Sequence, residues 1–129
     1  MGLRYAAIHT SIHLLTPLAI AYFFNLDFFG FLIAFIGGFV MDADHLFLVL
    51  RHGVRGAFRK VAYQGFGKSR KYPLHNFLAV VVAALGGLLV SQPGFFLAGI
   101  FSLAVFMHLL WDLLEDAVIF RLKPDNWKL

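Results

Sequence analysis

Four stretches of mostly apolar residues follow one another along the chain, and polar breaks separate them. The stretches are Tyr5–Phe24, Phe28–Leu50, Leu74–Val90 and Phe95–Phe120. Because a helix needs about 20 apolar residues to cross the hydrocarbon core of a bilayer, this pattern predicts four transmembrane helices. The breaks "NLD" and "SQPG" are short and rich in turn-forming residues, so each predicts a tight turn. Residues 51–73, between the second and third stretches, are the one long polar segment.

Composition indicates that lipid rather than water is the solvent of this chain. Of its 129 residues, 60% are hydrophobic and 14% are charged, whereas soluble domains have about 45–50% apolar and about 25% charged residues. A chain of this length cannot bury so much apolar surface inside itself, and its mean hydropathy is +0.79. The expected fold is therefore a single all-α integral membrane domain over residues 1–129, built as a bundle of four transmembrane helices. No signal peptide is expected, because His9 and His13 interrupt the first apolar stretch.

The basic residues predict the orientation of the helices. All 11 Lys and Arg residues are Arg4, residues of the 51–73 segment, or residues after the fourth stretch. Four spans place those three regions on one side of the membrane, and the positive-inside rule makes this side the cytoplasm. We therefore expect a multi-pass protein of the inner cell membrane with cytoplasmic N- and C-termini, and a short amphipathic helix at the start of the 51–73 segment. Since topology accounts for the basic charge, we expect membrane lipid as a partner and no nucleic acid, and a homo-oligomer stays open.

Ionisable side chains interrupt all four stretches, toward the predicted cytoplasmic end of each. They are His9, His13, Asp42, Asp44, His45, His75, His108, Asp112, Glu115 and Asp116. No Lys or Arg lies inside a stretch to pair with these acids, and buried charges must be paired or coordinate a metal. The pattern therefore predicts a site for one or two divalent metal ions. The chain has no cysteine, and nitrogen and oxygen ligands favour zinc, with manganese or iron as alternatives.

Helical spacing brings several of these side chains onto shared faces. His9 and His13 are four residues apart, as are His108 and Asp112, so each pair shares a helix face. Glu115 lies on the same face as Asp112, where it can act as a base or close a polar channel. The predicted metal ligands are His9, His13, Asp42, Asp44, His45, His75, His108 and Asp112.

Four short motifs carry a resemblance to a known family. In chain order they read "SIHLL", "GGFVMDADH", "RKYPLHNF" and "HLLWD", and their polar residues are His13, Asp42, Asp44, His75, His108 and Asp112. This order resembles the YdjM-like family of membrane-bound metal-dependent hydrolases, which has an early helical histidine, a P-D-x-D-type motif, an H-R-G-x-T-H-S-type motif and a late H-x-x-x-D. The resemblance spans nearly the whole chain and implies metal-dependent hydrolysis. It also implies that Asp44 lies at the metal. In a regular helix Asp44 points away from the face that Asp42 shares with His45, so either the helix is distorted there, or Asp44 binds a second metal or orients a ligand.

The chain departs from the family's pattern in its second and third motifs. Met41 stands in place of the proline, and Asn76 stands in place of the serine. Arg70 and Lys71 stand where the family's His-Arg pair falls, so one ligand or general acid is missing. Either one of three other histidines replaces it, His9, His45 or His52, or the site is simpler than that of the family.

The leading hypothesis is hydrolysis of a phosphoester, on a phospholipid or lipid phosphate, at the cytoplasmic face of the membrane through metal-activated water. The expected catalytic residues are Asp44, His75 and Glu115. The expected phosphate-binding residues are Arg70, Lys71 and Asn76, because basic side chains and helix N-termini both bind phosphate.

Other interpretations of the same residues stay open. The ligands could form the transit site of a divalent metal transporter, although the polar groups stop halfway across the predicted bundle. They could also stabilise a non-catalytic membrane protein. The H-x-x-x-H motif in "HTSIH" suggests an oxidative di-iron enzyme or a bis-His haem protein, but six histidines are too few for the eight-histidine desaturase pattern.

Overall fold

A computed structural model describes residues 2–43, 46, 49–53, 56 and 74–118 of the protein. This part of the chain is helical and contains no strand, which confirms the all-α prediction for it. The α-helices are α1 (Gly2–Phe23), α2 (Phe28–Val40), α3 (Phe77–Gly87) and α4 (Phe96–Val118). Two short 3-10 helices, Leu88–Ser91 and Pro93–Phe95, lie between α3 and α4. The described residues between 43 and 56 also have helical backbone.

Both predicted tight turns form, and their local chemistry explains them. Asn25 has a positive φ of 48°, a conformation in which asparagine is enriched. Asp27 then caps α2, since its Oδ1 accepts a hydrogen bond from the Gly30 N–H at 2.7 Å. At the second turn Gln92 is extended before Pro93, as the residue preceding a proline prefers. These turns fold α1 against α2 and α3 against α4.

Helix α2 ends at Val40, well before the predicted boundary at Leu50. Asp42 lies in a turn, and helical backbone resumes directly after it. The Asp42 N–H donates to the Phe39 carbonyl, three residues back, at 3.0 Å, which makes the backbone tighter than an α-helix at this point. The structure thus differs from the uninterrupted helix that the sequence predicts. At the start of the 51–73 segment, where a short amphipathic helix is predicted, residues 51–53 and 56 are described and have helical backbone, and the rest of the segment lies outside the described residues.

Helix α4 is at the centre of the fold, because α1, α2 and α3 all pack against it. Small residues of α2 allow the close approach. A Cβ atom added to Gly37 would lie 2.6 Å from the carbonyl oxygen of Phe101 on α4. A Cβ atom added to Gly38 would lie 2.9 Å from Cγ of Pro17 on α1. The two glycines before the acidic motif therefore hold three helices together.

Two clusters of buried apolar residues fill the space between the helices. The first contains Ile20, Ala34, Ile100 and Ala104, and the second contains Met41, Val80, Ala83, Val105 and Leu109. In the second cluster, Met41 precedes Asp42 and Leu109 follows His108. The apolar packing of this second cluster therefore supports the backbone that carries two of the predicted metal ligands.

The outward helix faces are strongly apolar. Large apolar side chains that are more than half exposed include Leu15, Leu18, Leu78 and Leu85. In the described part of the chain, one helical segment, Pro93–Glu115, is long and apolar enough to cross a membrane. Its most apolar stretch of 18 residues has a mean hydropathy of 1.9, and 33% of that stretch is buried inside the protein. Phe28–Val40 and Phe77–Ser91 are apolar but shorter. By length and composition the described residues thus support one span rather than the four predicted ones, and a core helix of a soluble protein satisfies the same criterion.

Candidate metal centre

Histidines and carboxylates from separate segments of the chain meet beside α4. They are His9 and His13 of α1, Asp42 after α2, His75 before α3, and His108, Asp112 and Glu115 of α4. We call these seven residues the histidine–carboxylate cluster. Other predicted site residues lie outside the described residues: Asp44, His45, Arg70 and Lys71.

The four-residue spacing on α1 places two imidazole rings together, as the sequence predicts. The ring centroids of His9 and His13 are 4.1 Å apart. The centroids of His13 and His108, which lie on different helices, are also 4.1 Å apart. His13 and His108 are buried, with 2% and 1% of their surface exposed. Helices α1 and α4 therefore hold a column of three imidazoles inside the protein.

One hydrogen bond fixes the orientation of the His108 ring. Its Nδ1 lies 2.5 Å from the Gly38 carbonyl oxygen, and because a carbonyl only accepts, Nδ1 carries a proton and donates it. In the neutral ring Nε2 then presents a lone pair. This lone pair faces Asp112 Oδ2 at 3.3 Å and Asp42 Oδ1 at 3.6 Å. A lone pair and two carboxylate oxygens that face one another form a site that attracts a cation.

Asp112 is the central carboxylate of the cluster. Its Oδ1 lies 3.3 Å from His13 Nε2 and 3.9 Å from His9 Nδ1. Its Oδ2 lies 3.1 Å from His75 Nε2 and 3.3 Å from His108 Nε2. The two oxygens therefore face two different pairs of imidazoles.

Glu115 belongs to the cluster, although the sequence does not place it among the metal ligands. Its Oε2 lies 2.9 Å from His9 Nδ1, and the residue is only 5% exposed. The sequence does contain one signal for it, because Glu115 lies three residues after Asp112 and so shares its helix face. The contact with His9 joins residues 106 positions apart, and no local spacing predicts such a contact.

Buried ring nitrogens in the cluster include some that make no hydrogen bond. Among them are both ring nitrogens of His13 and Nε2 of His108. His13 Nε2 and Asp112 Oδ1 are near each other at 3.3 Å, but they do not form a hydrogen bond. Since an unsatisfied buried polar group costs about 1–3 kcal/mol, these nitrogens fit a site that binds a further group.

Three overlapping groups of cluster residues bring their ligand atoms within 4.8 Å of one another. They are His9 with His13 and Glu115, His13 with His108 and Asp112, and Asp42 with His75 and His108. Imidazole nitrogens and carboxylate oxygens suit zinc, manganese and iron. The described residues therefore include groups that could hold a metal ion. Asp42 is the most open of the carboxylates, since 32% of its side chain is exposed compared with 13% for Asp112.

Asn76 has a structural role beside the cluster. Its Oδ1 accepts a hydrogen bond from the Ala79 N–H at 2.9 Å and so caps α3. This cap fixes the start of α3 directly after the buried His75, while phosphate binding by Asn76 stays a prediction. Among the described histidines that can replace the family's missing one, His9 joins the cluster. His52 is exposed and belongs to none of the three metal-binding groups.

An apolar groove of about 650 Å³ runs between α1 and α4. Along α1 it extends from Ile12 to Phe24, and along α4 it extends from Trp111 back to Leu103. Ile12 and Trp111 are the sequence neighbours of His13 and Asp112, so one end of the groove lies at the level of the cluster. Its volume is within the range of about 300–1,000 Å³ that is typical of ligand pockets.

In its described part, the protein is all-helical and has a buried histidine–carboxylate cluster that could hold a metal ion, with an apolar groove beside it. Comparison of the chain with models of protein families, with curated proteins and with solved structures finds no match. What the protein does must therefore follow from the chemistry of the cluster and the groove.

Proposed function

We propose that the protein is a membrane-embedded, metal-dependent hydrolase that acts on a phosphoester of a phospholipid or lipid phosphate at the cytoplasmic membrane face. The observation that carries this proposal is the arrangement of four imidazoles around Asp112. Within it, buried nitrogens of His13 and His108 make no hydrogen bond. The four motifs that resemble the YdjM-like family favour hydrolysis among the reactions that such a centre supports.

Zinc is the metal that we propose for the cluster, with manganese or iron as alternatives. Bound zinc supplies positive charge beside the phosphoryl oxygens and makes a coordinated water molecule more acidic. The residues that would hold it are His13, Asp42, His75, His108 and Asp112. The Gly38 carbonyl orients His108 for this role, because it fixes the ring through Nδ1 and leaves Nε2 directed at the carboxylates.

The substrate would approach from the side of Asp42, which is the most exposed carboxylate of the cluster. Of the expected catalytic residues, His75 and Glu115 lie in the cluster, and Asp44 follows two residues after Asp42. Arg70 and Lys71 would supply positive charge to the substrate phosphate. Asn76 would contribute through its position at the N-terminus of α3, because the N-terminus of a helix favours the binding of an anion.

The apolar groove favours a lipid as the substrate. Its walls between α1 and α4 are made of apolar side chains such as Ile12, Leu103 and Met107. An acyl chain in this groove would place its headgroup end at the level of the cluster, and its apolar surface would be removed from contact with bulk lipid on one side. A soluble phosphoester would leave the groove unused.

A four-span topology with both termini in the cytoplasm is also part of the proposal. Exposed leucines on the outer faces of α1, α3 and α4 support it, since large exposed apolar patches mark membrane or protein contacts. The positions of the 11 basic residues support the orientation. The segment Pro93–Glu115 supports at least one crossing.

The test is release of phosphate or headgroup from vesicles that contain a broad panel of lipid phosphoesters. We expect turnover by the wild-type protein that a chelator abolishes and added zinc restores. Asp112→Asn, which keeps the size of the side chain, should reduce the rate at least a hundredfold, because second-shell changes alone cost about 10–100-fold at metal sites. Asp27→Asn is the matched control, since Asp27 is exposed and asparagine caps a helix equally well.

Two outcomes of this test would contradict the proposal. The first is an absence of metal-dependent turnover on every lipid of the panel. If the protein nevertheless contained stoichiometric metal, the cluster would belong to a metal-stabilised non-catalytic membrane protein or a metal transporter. The second is equal loss of turnover in Asp112→Asn and Asp27→Asn, which would show that the assay reports folding rather than the site.

A further inference from the structure

We propose that the cluster holds two metal ions bridged by the carboxylate of Asp112, and that His9 and Glu115 are ligands of the second ion. This proposal rests on the proposed function for the presence of a divalent metal in the protein. It goes beyond that function because it assigns the number of ions and gives Glu115 a role as a ligand rather than as a base or as the closure of a polar channel.

The first argument is the way in which Asp112 divides its contacts. Oδ2 faces His75 Nε2 at 3.1 Å and His108 Nε2 at 3.3 Å. Oδ1 faces His13 Nε2 at 3.3 Å and His9 Nδ1 at 3.9 Å. Each oxygen thus has its own pair of imidazole nitrogens, which is the arrangement of a carboxylate that binds one metal ion through each oxygen.

The second argument is that each half of the cluster has its own terminal carboxylate. On the Oδ2 side, His75 and His108 are joined by Asp42, and the ligand atoms of these three residues lie within 4.8 Å of one another. On the Oδ1 side the corresponding group of ligand atoms within the same distance is formed by His9, His13 and Glu115. With one oxygen of Asp112 added, each half offers imidazole nitrogens and carboxylate oxygens, which are the ligand types that bind zinc in the absence of cysteine.

The third argument is charge. The cluster contains three carboxylates, those of Asp42, Asp112 and Glu115. One divalent ion carries fewer positive charges than these three carboxylates carry negative ones, whereas two ions carry more. A net positive centre is the one that attracts the negative phosphoryl group of a lipid phosphoester. Pairs of metal ions about 3.5–4 Å apart are common in phosphatases and nucleases for this reason.

The fourth argument is the position of His13 between the two halves. Its ring is 4.1 Å from the His9 ring and 4.1 Å from the His108 ring. Both of its nitrogens are buried and make no hydrogen bond. An ion held by His75, His108 and Asp42 on the Oδ2 side would leave His13 unsatisfied, whereas an ion among His9, His13 and Glu115 on the Oδ1 side would bind one of its nitrogens.

The test is the metal content of purified protein in detergent, measured by elemental analysis after loading with zinc and removal of unbound metal. We expect two ions per chain in the wild type and one in Glu115→Gln, because glutamine keeps the size of the side chain but removes its charge. Asp42→Asn should also retain one ion, and the control Asp27→Asn should retain two. If Glu115→Gln fails to fold, His9→Gln serves the same purpose, and it should likewise lose one of the two ions.

A second measurement reports whether the two ions share a ligand. After reconstitution with Mn²⁺, electron paramagnetic resonance of the wild type should show magnetic coupling between two ions, and the signal of Glu115→Gln should be that of an isolated ion. One ion per chain in the wild type, or two ions that persist in both Glu115→Gln and His9→Gln, would overturn the proposal. In the first case Glu115 and His9 contact each other without binding a second ion.

These results separate the failure of this proposal from the failure of the hydrolase. Two coupled ions without lipid turnover would support the bridged centre and contradict the hydrolase. Metal-dependent turnover with a single ion would contradict the bridged centre and leave the hydrolase intact. A wild-type protein without stoichiometric metal would contradict both.

Discussion

At the scale of single residues, the cluster shows how a buried binding site lowers the stability of the metal-free protein. His13 is 2% exposed and neither of its ring nitrogens makes a hydrogen bond. A leucine at the same position would bury a similar apolar volume without a polar group to satisfy. Without metal, His13 therefore destabilises the folded protein. A metal ion that binds only the folded state offsets this loss of stability by mass action.

We predict that His13→Leu is more stable than the wild type without metal and is stabilised less by zinc. With chelator present, its free energy of unfolding should exceed that of the wild type by about 1–3 kcal/mol, the cost of an unsatisfied buried polar group. With saturating zinc, the wild type should gain stability and the variant should gain less. Thermal and denaturant unfolding in detergent, each with and without chelator, measure both quantities.

His52→Leu is the control for this experiment, because His52 is exposed and lies in none of the metal-binding groups. It should show the full stabilisation by zinc. Equal stabilisation of wild type and His13→Leu by zinc would contradict a role for His13 as a ligand.

At the scale of the helices, local spacing predicted the relations within one helix and missed those between helices. The four-residue spacing of His9 with His13 and the turn at Asn25 both follow from local geometry, and both are confirmed. The contact between His9 and Glu115 depends on how α1 packs on α4, and helix packing is set by small residues and shape rather than by spacing. The helical position of Asp44 suggested a distorted helix as one alternative, but the apolar run did not indicate that α2 ends at Val40 with a tightened turn at Asp42.

The groove between α1 and α4 gives a prediction at this scale. Ala19 is an exposed, small residue that lines the groove, so Ala19→Trp should fill part of it. The KM for a long-chain lipid phosphoester should rise about tenfold, since excluding two methylene groups at about 0.8 kcal/mol each removes slightly more than a factor of ten in affinity. Turnover of a short-chain analogue should be unchanged, and assays with both substrates measure the difference.

Ala98→Trp is the matched control, because Ala98 is exposed on α4 and does not line the groove. Its kinetics on both substrates should equal those of the wild type. An equal rise in KM for the long-chain and the short-chain substrate in Ala19→Trp would show that the tryptophan disturbs the metal centre rather than the binding of an acyl chain.

At the scale of the whole molecule, the open question is how many helices cross the membrane. Only Pro93–Glu115 has the length and composition of a span within the described residues, and the segment Phe77–Ser91 is shorter. A short apolar helix crosses a bilayer when the membrane thins locally or when flanking polar residues extend to the interface. The proposed topology therefore depends most on the third stretch, which must separate the basic segment 51–73 from the turn after α3.

Whether the third stretch crosses the membrane can be measured by cysteine labelling, because the sequence contains no cysteine and any introduced thiol is unique. Ser69 lies in the basic segment, and the exposed Ser91 lies at the end of the 3-10 helix after α3. Ser69→Cys and Ser91→Cys are conservative and chemically identical changes on the two sides of the third stretch. In right-side-out membrane vesicles, a membrane-impermeant maleimide should label Ser91→Cys at once and Ser69→Cys only after the vesicles are permeabilised, whereas inside-out vesicles should give the opposite order. Labelling of both variants from the same side would show that the third stretch does not cross the membrane, and the four-span topology would then be wrong. The proposed metal centre would be unaffected, because it rests on contacts within the protein.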